Sequence, residues 1–348
     1  GNELAAAMPG VCGLGLNLKM DGFRGIYATV AAFMWMMSTI FTREYIDHSH
    51  GKNRYYMFIL FTLGATAGVF LSADLFTTFV FFEMMSVASY TWVAHEETEG
   101  ALKAASTYLA VAVIGGMVTL MGLFMLYDLT GTLMVAELHE KVMALWDGNQ
   151  ARIYVTGALI LFGFMAKAGA YPIHIWLPKA HPVAPAPASA LLSGILTKTG
   201  IFGALILAAE IFRHNGYWGF CMLIIGVATM VWGGIIALFS NDLKRTLACS
   251  SVSQIGFIFV GIGMQGLLGE ECAGCPWYLP SYDEPFSDQA GPVHGSRCCL
   301  HEHPQAGSEC SERLWTEETL PEFRIPHGRF GRRRYSALER LRQQDFDP

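Results

Sequence analysis

The sequence predicts an all-α fold: a polytopic bundle of transmembrane helices with one broken helix, followed by a polar tail. Three observations carry this. Of 348 residues, 53% are hydrophobic and only 15% are charged, with a mean hydropathy of +0.36. Soluble domains carry about a quarter charged residues. Several stretches stay apolar over the roughly 20 residues that a bilayer requires. Between two of them the chain packs five prolines after Tyr171 without becoming polar. The formal net charge of −6 is small for this length and gives no reason to expect a nucleic-acid partner. No secretory leader pattern opens the chain. It begins at Gly1 in mid-pattern, so 1–24 is expected to be a truncated segment of a longer protein.

Apolar spans are expected at 25–42, 55–73, 75–94, 104–127, 152–168, 187–212, 218–239 and 246–264, making one domain of about eight helices over 25–265. Short polar links such as Arg43–Arg54 and His95–Lys103 join them. The longer link 128–151 holds Asp128, Glu137, His139, Glu140, Lys141 and Asp147 and suits a surface amphipathic helix. Lys and Arg are spread too evenly to orient the bundle. Residues 167–187 are the exception to regular helix. Proline removes a backbone donor and stops a helix, yet Ile173, Ile175, Trp176 and Leu177 keep the stretch apolar. Irregular backbone at membrane depth must be buried in protein or line a wet cavity, and discontinuous helices often mark ion pathways. A re-entrant or interfacial loop fits the same residues.

Glu83 falls in the middle of 75–94. A charge at the bilayer centre costs about 2.5–3.5 kcal/mol on insertion scales, so it must pair, protonate or face water. Burial opposes its ionised form and a nearby lysine supports it. Its proton would then answer to a neighbour's charge, as a relay requires; a structural ion pair is the alternative. Lys198 is the matching cation, central in 187–212, and buried lysines lose their proton readily. Thr197, Thr199 and Ser193 offer hydroxyls for water, and Gly194, Gly200 and Gly203 would admit a neighbouring helix. Lys167 ends 152–168, where snorkelling to the interface is equally natural. His174 and His181 lie in the broken stretch and are of a type that titrates near neutral pH. Spaced seven apart they make a weak metal pair, and buried structural histidines are the alternative. Ser250, Ser251, Ser253 and Gln254 form a polar stripe on 246–264, suited to a hydrated path or to bonds between helices.

These residues resemble a known family. Phe82-Glu83-Met84-Met85-Ser86, Lys167-Ala168-Gly169, Pro172 to Pro178, Ala180-His181-Pro182, Ser189 to Gly194, Lys198-Thr199-Gly200 and Asn241 to Arg245 are similar to the antiporter-like subunits. That family takes in the large membrane-arm subunits of complex I, subunits of Mrp-type cation/proton antiporters and subunits of membrane-bound hydrogenases. The resemblance covers roughly 14–265. It implies that Glu83 is the glutamate of an ion-pair switch, Lys167 the broken-helix lysine and Lys198 the lysine of the central axis; His174 and His181, from their place in the broken stretch alone, are weaker candidates for the relay. It implies a proton-translocating subunit of a complex I-like NADH:quinone oxidoreductase or a membrane-bound hydrogenase, with an Mrp-type Na⁺/H⁺ antiporter subunit as the alternative. No cofactor or metal is expected on such a subunit; electrons travel in its partners, the redox and other membrane-arm subunits. Its place would be the bacterial plasma membrane, and its cargo protons or Na⁺.

The pattern ends at 266–348. Residues 272–348 hold no Lys and no Met, but 9 of the 15 Arg, 5 of the 8 Cys and 8 of the 14 Pro. Such a polar, Pro-rich stretch is expected to be disordered. Cys272, Cys275, Cys298 and Cys299 permit a zinc site on a membrane scaffold. An out-of-frame translation explains the tail better. In the overlapping frame Glu284–Gln289 is compatible with N-H-S-L-I-K, Trp315–Thr319 with G-R-K-K-P and Tyr335–Gln344 with I-P-L-W-N-G-Y-V-S-K, all family-like and in order. The hypothesis expects the chain as written to move no protons, unlike its complete parent. Sequencing the coding DNA across codons 260–348 tests it: a scrambled overlapping frame would make the Cys-rich tail genuine.

Overall fold

A computed structural model describes residues 4–10, 14–46 and 51–268. An antiparallel hairpin comes first, β1 (Leu4–Met8) paired with β2 (Leu16–Met20). Then follow α1 (Gly22–Tyr45), α2 (Lys52–Leu71), α3 (Leu75–Val93), α4 (Glu99–Thr130), α5 (Val135–Ala144), α6 (Trp146–Ala168) and α7 (Trp176–Val183). A continuous span Ala186–Ile211 comes next. It contains α8 (Ala186–Leu191), a π-helical turn Leu192–Leu196, α9 (Thr197–Ile206) and a second π turn Leu207–Ile211. The described chain closes with α10 (Gly216–Leu238) and α11 (Leu243–Leu268). From 269 onward the expected tail, with its disorder, zinc and out-of-frame readings, lies outside the described residues.

The bundle is all-α as expected; the hairpin is an addition within 1–24. It is held in place by the helices. Ala73 N–H donates to the Asn17 carbonyl at 2.8 Å, and Asn17 N–H donates to Thr77 Oγ1 at 2.9 Å. Asp74 caps α3 by accepting from Thr77 N–H at 2.6 Å, satisfying one of the helix's orphan donors. Thr98 and Asn215 cap α4 and α10 in the same way.

Seven helices among the described residues are long and apolar enough to cross a membrane. The eighth expected span is α3, a helix of 19 residues whose Glu83, Ser and Thr lower its hydropathy. Buried Phe82, Met85, Ala88 and Trp92 pack it between α2 and α4. The outer faces stay apolar: Phe33, Met36 and Ile40 on α1, Met117 and Met121 on α4, and Val227 and Val231 on α10 are exposed. A soluble protein would not present so much contiguous apolar surface. Helix α5 is the amphipathic helix expected within 128–151, burying Val135, Leu138 and Val142 on one face. Helices α10 and α11 lie close together because glycines face each other. A Cβ on Gly226 would strike the Gly256 carbonyl, and one on Gly256 would strike Met230 and the Gly226 carbonyl.

The break after α6 is a broken helix tied to its neighbours, with His174 and Trp176 buried and Tyr171 and Ile175 exposed. Gly169 ends α6 in a left-handed conformation at φ +77°, which costs glycine no Cβ clash. The irregular backbone then finds partners on its neighbours. Trp176 Nε1 donates to the Ala166 carbonyl at 2.7 Å, and Tyr171 N–H donates to Thr229 Oγ1 at 3.1 Å. At the far end of α7, Lys244 Nζ donates to the Ala184 carbonyl at 3.1 Å.

Candidate functional site

The site is built where α3, α4 and α6 meet beside the break. Glu83 is half-buried on α3, and its Oε1 is fully enclosed without a hydrogen-bond partner. It leans on α4 at Gly116, where a Cβ would overlap the whole carboxylate. The missing side chain is therefore the space in which the carboxylate sits.

Lys167 does not snorkel. It is only 3% exposed, and its Nζ donates to Ser86 Oγ at 2.9 Å and to Tyr108 OH at 2.7 Å. The ammonium lies 5.0 Å from the Tyr108 ring centroid and 5.9 Å from that of Phe82. Tyr108 OH in turn shares a 2.6 Å hydrogen bond with Ser89 Oγ. Lys167 acts electrostatically on the Glu83 carboxyl, yet the two are not bonded. The structure thus gathers the expected Glu83 and Lys167 into one unit. It adds Ser86, which the sequence showed only as the end of a motif, and Ser89, Tyr108 and Gly116, which sequence reasoning did not single out. Tyr108 sits near the start of a span, where a tyrosine reads as an interface aromatic. Its register gives no signal either, since eight residues before Gly116 places it about 80° round the helix from that glycine.

Lys198 forms a second centre. It is half-buried, and its Nζ folds back to the Ser193 carbonyl at 2.7 Å within the π turn. π turns inside helices are frequent at functional sites. Ser193 Oγ bonds Ser251 Oγ of α11 at 2.7 Å, which ties this turn to the polar stripe. Ser253 Oγ donates to the Met230 carbonyl at 3.0 Å, so part of that stripe joins helices. Thr197 and Thr199, expected to offer hydroxyls to water, have only acceptor lone pairs left for it. Both are fully buried and donate to their own helix, at Ser193 O (2.9 Å) and Leu196 O (2.7 Å). Gly200 and Gly203 do admit a neighbour, packing on Phe164 and Ala168 of α6, whereas Gly194 meets only the Met34 methyl. The lysine-bearing helices α6 and α9 are therefore in close contact.

His174 and His181 belong to different surroundings. Trp232 Nε1 donates to His174 Nε2 at 3.0 Å, tying the break to α10. His181 Nδ1 is 2.5 Å from Ser189 Oγ, and His181 lies in the field of Lys244 and Lys198. Among the described residues, no three His, Cys, Asp or Glu side chains converge as metal ligands would.

The chain matches the transmembrane family described as NADH:quinone oxidoreductase/Mrp antiporter over residues 72–276. It is 32% identical over 266 residues to a Na⁺/H⁺ antiporter subunit of Alkalihalophilus pseudofirmus, covering 76% of this chain and 53% of that one. It is 31% identical over 259 residues to hydrogenase-4 component B of Escherichia coli, covering 72% and 38%. Among solved structures, it is similar to a chain of the Mrp complex from Dietzia sp. DQ12-45-1b (TM-score 0.64, 25% identity, 75% of this chain and 49% of that one). A chain of the membrane-bound sulfane sulfur reductase, an archaeal respiratory membrane complex, gives a TM-score of 0.66 at 25% identity, covering 73% and 54%. The chain thus spans about half, or less, of the length of these relatives, which are parts of larger membrane complexes.

Proposed function

The chain belongs to the NADH:quinone oxidoreductase/Mrp antiporter transmembrane family, and on that premise we propose that within a complete complex protons move through half-buried Glu83 and Lys198 and buried Lys167. It is an integral membrane protein, of a family whose bacterial members sit in the plasma membrane. We propose it as a translocating component of a complex I-like NADH:quinone oxidoreductase or a related membrane-bound hydrogenase, with redox chemistry left to partner subunits. The observation that carries the reading is the Glu83–Lys167 arrangement. A half-buried carboxyl with an enclosed, unpartnered oxygen lies in the field of a buried ammonium that is held by other groups. Such a pair can trade charge for contact when either group gains or loses a proton. Lys198, at the start of α9 and bonded back to the π turn, would be the next station, reached through the close contact of α6 and α9.

A second reading, as part of a Na⁺/H⁺ antiporter, is favoured by the Alkalihalophilus relative at 32% identity. The two separate in vesicles that hold the complete complex. Under the first reading, proton movement survives replacement of Na⁺ by K⁺; under the second it stops. Either way Lys198→Ala is expected to slow proton movement severalfold, and a parent-level rate would remove Lys198 from the path.

A further inference from the structure

We infer that Tyr108 is a positioning residue that holds the Lys167 ammonium off Glu83 and so sets the open state of that pair. The inference rests on the proposed translocating role and goes one step beyond it. It starts from where Lys167 is bonded. Ser86 lies three residues after Glu83, on the same face of α3. At 1.5 Å rise per residue the two are about 4.5 Å apart along the helix. The ammonium is thus tethered beside the carboxylate without being bonded to it. Tyr108, reaching over from α4, is the other tether.

An account of the hydrogens says what this group can do. Ser86 Oγ donates to the Phe82 carbonyl at 2.8 Å, so it turns a lone pair to Lys167. Ser89 Oγ donates to the Met85 carbonyl at 2.7 Å, which directs the Tyr108 hydrogen to Ser89 and leaves a Tyr108 lone pair for Lys167. The chain Lys167–Tyr108–Ser89 therefore ends on a backbone carbonyl, which cannot take a proton and pass it on. This arrangement is a clamp and not a wire. It uses two of the three ammonium hydrogens, and the third remains for Glu83 Oε1, which has no partner. The clamp is also fixed to the broken helix. The Tyr108 ring lies 4.8 Å from the Trp176 ring, and Trp176 bonds the Ala166 carbonyl, next in sequence to Lys167. A shift of α7 would move the tyrosine and release the lysine toward Glu83.

The test is Tyr108→Phe in the complete complex, which keeps the ring contact and removes the hydroxyl. Proton movement is expected to fall about tenfold, the scale of one lost hydrogen bond to a charged group. The infrared band of the Glu83 carboxyl, identified by its loss in Glu83→Gln, is expected to shift as Lys167 moves onto it. That shift should vanish when Lys167→Met is added. A slower rate with an unmoved band means a merely structural tyrosine and overturns the inference, as does a parent-level rate. Should Tyr108→Phe fail to assemble, Ser89→Ala removes the acceptor that orients the hydroxyl and is read by the same two measurements. If Glu83→Gln and Lys167→Met both translocate at the parent rate, the proposed function itself fails. If those two are inactive and Tyr108→Phe is normal, only the clamp fails.

Discussion

Glu83→Gln is expected to cut proton movement by about 10²- to 10⁴-fold, the range that a positioned proton-transfer group supplies, while leaving the bundle folded. The substitution keeps the shape and removes both the titratable proton and the charge. Truncating one partner of a bonded, buried ion pair costs about 3–5 kcal/mol, because the other charge is left stranded. That penalty does not apply here. Lys167 is held by Ser86 and Tyr108 rather than by the carboxylate, and Glu83 Oε1 has no hydrogen bond to lose. Removing a charge from a low-dielectric site also relieves a desolvation cost. Thermal unfolding of the purified complex should therefore stay close to the parent while vesicle acidification, followed with a pH-sensitive dye, collapses. A variant that unfolds early would identify Glu83 as a structural ion-pair member, and one that acidifies normally would take it out of the relay.

What the sequence shows of this site depends on how each residue enters it. Glu83 is visible because a carboxylate in mid-span has no cheap explanation. Lys167 is ambiguous for the opposite reason: the end of a span is where lysines ordinarily reach for water. Only the fold, by closing α3, α4 and α7 over it, makes snorkelling impossible. Thr197 and Thr199 look like water ligands because hydroxyls flank a lysine. Helical geometry lets each bond a carbonyl three or four residues back, and both do. Tyr108, Ser89 and Gly116 acquire meaning only through contacts between elements, which no local pattern encodes. The same holds for the hairpin at 4–20. Its strands, Leu-Ala-Ala-Ala-Met and Leu-Asn-Leu-Lys-Met, lack the β-branched and aromatic residues of strong strands and are steadied by Asn17 against α3. The spans themselves were legible because bilayer thickness fixes their length. The break was legible because proline has no donor to give.

Gly116→Val offers the sharpest separation of function from stability. A Cβ at this position would overlap the Glu83 carboxylate, and valine adds two methyls to it. The obstructing atoms are the far end of a flexible side chain rather than backbone, so Glu83 can swing aside without moving α3 or α4. The fold should lose no more than about 1–3 kcal/mol, the usual cost of an overfilled site. Function should not be spared. A displacement of about 1 Å at a reacting group can cost 10²-fold, and the displaced carboxylate leaves the seat in which it stands beside Lys167 unbonded. Proton movement is therefore expected to fall roughly a hundredfold in a complex that assembles and melts almost as the parent does. Gly115, its neighbour, supplies the control. A Cβ there meets the Ala166 side chain and the Gly163 backbone rather than Glu83, so Gly115→Val should weaken the α4–α6 contact before it touches transport. Equal effects of the two variants on both stability and rate would mean that α4 matters here as packing alone, and that Gly116 does not shape the carboxylate's seat.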